Sequence, residues 1–228
     1  MKVPVMMEIY RQAEMGTFAL QDSITIKNQF KSIIDGSPFS LDISEDGGDR
    51  LYTLIGQKEP VRSLVNEMIT FSGNLATNLL IELVDAKNVQ SFMESFGAKD
   101  IRVLRGVEDI KAYRAGKNNT TTAKDLAIIF QVIYEGRYWT EKSREAMIEI
   151  LLDQHYRKKI PAKLPADVKV AHKTGSITKI DHDSGIILPP DYVPYILVVL
   201  TKGFEDHAEA QDCIADISRM VYEWYVSS

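Results

Sequence analysis

The sequence predicts an α+β protein in which a helical block is followed by a small antiparallel sheet with a helix packed on it. Three observations carry this. Apolar residues recur at helical spacing through much of the first two thirds of the chain, the pattern turns to strands after Pro161 and Pro165, and an amphipathic stretch closes the sequence. Residues 1–160 then form a mainly helical subdomain, and residues 161–228 a three-stranded antiparallel sheet with a C-terminal helix.

The helices follow in order. Val3, Met6, Met7, Tyr10 and Ala13 mark the first, with Pro4 suited to a first turn and Gly16 to the end. Pro60 opens the second, whose apolar face is Val61, Leu64, Val65, Met68 and Ile69. After Ser72-Gly73-Asn74 a third carries Leu75, Leu79, Leu80, Leu83 and Val84, so the tripeptide is a tight connection between two helices. Asn88 is expected to cap a fourth helix bearing Val89, Phe92, Met93 and Phe96, closed by Gly97. Thr122 with Asp125 reads as a capping box ahead of Leu126, Ile129, Phe130, Ile133 and Tyr134. Thr140 starts another helix through Met147, Ile148, Leu151 and Leu152. Residues 100–121 are polar and too long for a plain connector, and loops of that size are often functional.

In the last third, Val168, Val170 and Ala171 alternate with charges up to Lys173, and residues 185–188 form a short apolar run. Residues 195–200, YILVVL, are apolar on both faces, which places this strand at the centre of the sheet. The closing helix, residues 207–226, is expected to turn Ala210, Ile214, Ile217, Val221 and Trp224 inward. A three-stranded sheet with so apolar a strand reads as incomplete. An exposed edge would favour self-association.

Composition narrows the function classes. With 45% hydrophobic and 26% charged residues in 228, the chain can bury a core, which excludes disorder as a description of the whole. A formal charge of −5 and no basic run along the sequence argue against nucleic acid as the partner. The single Cys213 excludes an intrachain disulfide and a cysteine-based zinc site, and reads as a small core residue. No run reaches the roughly 18 apolar residues of a membrane span. Charges at Glu8 and Arg11 break the pattern of a signal peptide.

Three clusters can carry chemistry. Lys173-Thr174-Gly175-Ser176 ends a strand with a cation, two hydroxyls and a glycine, a seat for a carboxylate and a carbonyl oxygen. Ser72-Gly73-Asn74 offers a hydroxyl to relay a proton and an amide to orient another amide. Lys2, in the first turn of an apolar helix, can lose its proton near neutral pH, as a general base must. Each alone is an ordinary strand end, turn or chain start.

In this order and spacing they resemble the penicillin-recognising serine hydrolases, in particular class A β-lactamases, whose motifs are S-x-x-K, S-D-N and K-T-G. The flanks Lys2-Val3-Pro4-Val5-Met6, Met68-Ile69-Thr70-Phe71-Ser72-Gly73-Asn74 and Val170-Ala171-His172-Lys173-Thr174-Gly175 extend the likeness over essentially the whole chain. The resemblance implies a β-lactamase or transpeptidase-like fold and an acyl-enzyme mechanism on a β-lactam or peptide-like amide, with no cofactor or metal. It implies catalytic roles for Lys2, Ser72 and Glu108, and substrate contacts by Asn74, Lys173, Thr174, Gly175 and Ser176. A secreted, periplasmic or cell-envelope location is implied in the same way.

Two departures stand out. The class A loop reads closer to R-x-E-x-x-L-N, whereas two places after Arg105 stands Val107 and Glu108 comes one later. A slow lactamase, an esterase or a peptidase-like enzyme therefore stays open beside deacylation by Glu108, as does a loop merely tied down by Glu108 and Asp109. The second departure is that the nucleophilic serine belongs three residues before Lys2, ahead of Met1. The resemblance therefore implies an N-terminally shortened chain with the first strands of the sheet missing, inactive as written, with a non-catalytic ligand-binding relative as the alternative. The one complete S-x-x-K, Ser176 to Lys179, follows K-T-G at a strand end and is a poor nucleophile site. His172 and His182 flank the expected cleft, while His155 and His207 read as helix-end residues.

Overall fold

The computed structural model describes residues 1–228. Helix α1 (Lys2–Glu14) runs through the core and buries Val3, Val5, Met6, Met7, Ile9 and Tyr10. Glu8 is also fully buried. Its carboxylate pairs with Arg11 at 2.7 Å and accepts from Gln12 at 2.7 Å, satisfying a charge that burial would otherwise penalise.

The sequence assigned no element between Gly16 and Pro60. Four short strands lie there: β1 (Ser23–Thr25), β2 (Phe30–Lys31), β3 (Pro38–Phe39) and β4 (Lys58–Pro60). They form antiparallel pairs, β1 with β4 and β2 with β3. Strands of two or three residues carry no readable alternation. Pro60 thus ends a strand before it leads into a helix.

Helices α2 (Val61–Thr70) and α3 (Asn74–Val84) flank the Ser72-Gly73 turn as expected. Helix α4 (Ala86–Ser95) starts earlier than expected, because Asp85, not Asn88, caps it by accepting from Lys87 N. Asn88 lies inside the first turn and donates its amide to Val84 O. The long loop holds a short helix, α5 (Ile110–Arg114), and an antiparallel bridge between Arg102 and Thr120. Ahead of α6 (Ala123–Glu135) only half of the capping box forms. Thr122 accepts from Asp125 N, but the Asp125 carboxylate turns away to accept from Asp100 N and Ile101 N. Helix α7 (Glu141–Leu152) is capped by Thr140.

The sheet contains β5 (Lys169–Ile177), β6 (Ile180–Leu188) and β7 (Tyr195–Lys202), antiparallel in the order β5-β6-β7. Strand β7 is therefore an edge, contrary to the expectation that it is central. Its continuous apolarity has another cause. Ile196, Val198 and Leu200 pack on the main helical core, while Tyr195, Leu197 and Val199 face the smaller core of Ile160, Val168, Val170, Ile187 and Ile214. Both faces are covered, so both are apolar, whatever the edge pairs with.

Helix α8 (His207–Ser227) buries Ala210, Ile214, Ala215 and Ser218. It departs from the expectation at three positions: Trp224 is 68% and Ile217 37% exposed, and Cys213 is half-buried. Tyr225 explains the rotation, since its ring packs on Tyr195 and its hydroxyl donates to Val193 O. That contact turns the opposite face outward. No strand pairs with the outer edge of β7. An open edge is a pairing template, so self-association rising with concentration is expected in sedimentation velocity. A single monomeric boundary at all concentrations would count against pairing there.

Candidate active site

The site lies where α1, the α2–α3 turn, the long loop and β5 meet. Ser72 sits in the turn with φ +60°, a left-handed conformation uncommon outside glycine. This backbone turns its hydroxyl between two lysines. Ser72 Oγ accepts from Lys2 Nζ at 3.0 Å and from Lys173 Nζ at 3.2 Å. Lys2 Nζ also donates to Ser72 O and, at 2.9 Å, to Asn74 Oδ1. Asn74 Nδ2 in turn donates to Glu108 Oε1 at 2.9 Å. Lys173, Ser72, Lys2, Asn74 and Glu108 thus form one connected chain of hydrogen bonds.

The electrostatics follow from burial. Lys2 is lowered to about 8, chiefly by loss of solvent, with Asp46 and Glu108 acting in the opposite direction. Lys173 is pushed well below the ordinary lysine range by burial, then by the nearby Lys2 charge, while Asp183 opposes. Burial raises Glu108, against the hydrogen bond from Asn74. Two close ammonium groups favour release of a proton from one of them.

Asp46 was not singled out in the sequence. The middle residue of the turn is Gly73, which has no side chain to cap α3. Asp46, from a distant loop, supplies the cap instead: its carboxylate accepts from Asn74 N at 2.6 Å and Leu75 N at 2.9 Å, and Tyr52 donates to it at 2.8 Å. No local signal could have found it, because the pair lies 28 residues apart.

Asn78 was also missed, although it stands four residues after Asn74 on the same helical face. It clamps the long loop by accepting from Val107 N at 2.6 Å and donating to Val107 O at 3.0 Å. Gly106 makes room for this clamp: a Cβ there would come within 2.2 Å of Asn78 Oδ1. The loop then delivers Glu108, itself at φ +62°, toward Asn74. Asp109 ties the loop down, accepting from Ser32 Oγ, Ile33 N and Ala112 N.

On β5, Lys173 points into the cluster, Thr174 is half-buried, and Gly175 and Ser176 are exposed. A buried ion pair, Lys159 with Asp181 at 2.9 Å, braces the strand end. Lys159 donates to Gly175 O at 2.8 Å and Ser176 Oγ at 2.9 Å, while Ser176 donates to Asp181. His207 joins through Asp181, and buried His172 pairs with Asp183 at 2.9 Å. His155 packs on Phe71. None of the histidines hydrogen-bonds to Ser72; its partners are Lys2 and Lys173. The Ser176 to Lys179 motif does not assemble as a pair, since Lys179 turns to Glu205 at 2.6 Å.

A helical block and an antiparallel sheet meeting at a lysine-serine-lysine cluster is the architecture of β-lactamases and penicillin-binding proteins. The chain belongs to the Beta-lactamase enzyme family, whose profile matches residues 1–225. Among its relatives is the extended-spectrum β-lactamase PER-1 of Pseudomonas aeruginosa, 26% identical over 175 residues, covering 72% of this chain and 57% of that protein. The chain spans about half the length of the curated relatives it matches. A β-lactamase structure from Sphaerobacter thermophilus is 27% identical with a TM-score of 0.77, over 96% of this chain and 78% of the other. The structure of PBP-A aligns with a TM-score of 0.84 at 23% identity, covering all of this chain and 80% of the other.

Three outcomes are expected. The Lys2 ammonium should lose its proton near pH 8, read by NMR of the side chain, and lower still in Glu108→Gln, which removes a charge that favours the ammonium. The unfolded chain then binds the extra proton between about 8 and 10.5, so the stability cost of burying this lysine is relieved as pH rises through that window. Asn78→Ala leaves the Val107 backbone unpaired, which should cost about 1–3 kcal/mol. In calorimetry that is a fall of roughly 2–12 °C in Tm for a chain of this size, with faster amide exchange at residues 106–108.

Proposed function

We propose that this chain carries the proton-transfer and substrate-holding parts of a β-lactamase-like serine hydrolase that works through an acyl-enzyme on a β-lactam or related amide or ester. The observation behind the reading is the Ser72 hydroxyl held between Lys2 and Lys173 at 3.0 and 3.2 Å. A hydroxyl that accepts from both lysines keeps its own proton free to give away.

In this reading a serine one helical turn ahead of Lys2 attacks the substrate carbonyl carbon and passes its proton to the neutral Lys2 amine, whose pKa near 8 suits a general base. The C–N bond then breaks, Ser72 donates its proton to the leaving nitrogen, and Lys2 restores the proton to Ser72. Asn74 orients the substrate's acylamide, and Lys173, Thr174, Gly175 and Ser176 seat its carboxylate. Glu108, joined to Asn74 at 2.9 Å, activates the water that releases the acyl group. A variant of the structural neighbour PBP-A is described as an acyl-enzyme complex with penicillin G, which supports this substrate class. The place of action is the cell envelope or beyond it.

The position three residues before Lys2 is outside the 228 residues, so this chain is proposed to be inactive by itself. With penicillin it should gain no mass and hydrolyse no chromogenic cephalosporin. A chain extended so that a serine stands three residues before Lys2 should acquire the mass of one penicillin, and Ser72→Ala in that background should slow acylation by about 10²–10⁴-fold. A stable adduct on the unextended chain, or none on the extended one while it binds penicillin, would overturn the reading. The second outcome would favour a ligand-binding relative, and turnover of esters alone would favour an esterase.

A further inference from the structure

A second cleft lies away from the Ser72 cluster, between α4 and the bridged segments 102–104 and 116–120 of the long loop. Its volume is about 860 Å³, large enough for a metabolite of mononucleotide size. Lys87 from α4 and Arg102 and Lys117 from the loop line it, and no acidic residue does. In a chain of net charge −5 this is a local excess of three positive charges.

The three cations are uncommitted. Lys111 in the same loop pairs with Asp35, and Lys163 with Asp212 and Asp216, whereas Lys87, Arg102 and Lys117 have no carboxylate within ion-pair distance. Asp85, two residues from Lys87, is occupied in capping α4 through Lys87 N at 2.9 Å, and Asp100, two residues from Arg102, forms no ion pair with it. Ser91, Asn118 and Thr120 add neutral hydrogen-bonding groups to the lining, and Val103 and Leu104 add an apolar wall. Cations from two elements facing a concave space with hydroxyls beside them suit a ligand that presents anionic oxygens in more than one direction.

We propose that this cleft binds a small organic molecule bearing two or more anionic oxygens, as phosphate or carboxylate groups. Such a ligand bridges α4 to the loop. The Arg102–Thr120 bridge, with N···O distances of 2.8 and 3.1 Å, and Asn119, which accepts from Leu104 N and donates to Arg105 O, continue directly into the segment that carries Glu108. Occupancy therefore stiffens the base of that segment. The sequence concealed the cluster because its three cations lie far apart along the chain.

The test is titration calorimetry of the full chain with sodium pyrophosphate, ribose 5-phosphate and citrate at matched ionic strength, with hydrogen exchange on each complex. At least one probe should bind saturably, one per chain, and slow exchange at residues 102–104 and 116–120. The charge-reversed pair R102E/K117E should weaken binding by about tenfold or more, while K58E/K142E, with the same change in net charge on other surfaces, should leave it within twofold. Preference for pyrophosphate and ribose 5-phosphate would assign the ligand as a phosphate, and preference for citrate as a carboxylate. The absence of saturable binding by all three, equal binding by R102E/K117E, or protection confined to other residues would overturn the proposal.

Discussion

The site depends on keeping two lysine side chains close together on one serine hydroxyl. Like charges repel, and burial adds to the penalty, so the arrangement persists only where the surroundings fix every partner. The surroundings do so from four directions: α1 supplies Lys2, the α2–α3 turn supplies Ser72 and Asn74, β5 supplies Lys173, and the long loop supplies Glu108. Helix α1 is buried along most of its length, and β5 is braced at its end by the Lys159–Asp181 pair.

Strain and support are distributed in a consistent way. Ser72 and Glu108 both adopt positive φ, and both are held by side chains from elsewhere in the chain. Asp46 fixes the first turn of α3 beside Ser72, and Asn78 fixes the peptide just ahead of Glu108. Costly backbone conformations of this kind are kept where surrounding structure over-determines them. The acidic residues nearest Lys2, Asp46 and Glu108, also offset part of the lysine desolvation. Without them the lysine would lie further below its ordinary range.

Much of the helical framework was legible. Three- and four-residue spacing of apolar side chains marked α1, α2, α3, α6 and α7, and capping residues marked several starts, because helix period and end chemistry are local. The errors came from residues whose partners are distant. Asn88 offered a plausible cap, but Asp85 took the role; Asp125 fitted a capping box, but the backbone of Asp100 and Ile101 claimed its carboxylate. The apolar run of β7 recorded two covered faces and was read as two paired edges. Trp224 followed the helical period yet faces outward, because Tyr225 sets the rotation of that half of α8.

By itself the sequence determined the α+β class, most helices, the family resemblance and the residue types at the site, since these rest on short-range periodicity and on motifs a few residues long. Only the tertiary structure decided that Ser72 lies between Lys2 and Lys173, that Glu108 reaches Asn74, and that Asp46 and Asn78 hold the frame. It also gathered Lys87, Arg102 and Lys117 around one cleft. The reason is physical: a hydrogen bond or a repulsion depends on distances of a few ångströms, and residues as far apart in sequence as Ser72 and Lys173, 101 positions, acquire such distances only when the helical block closes on the sheet.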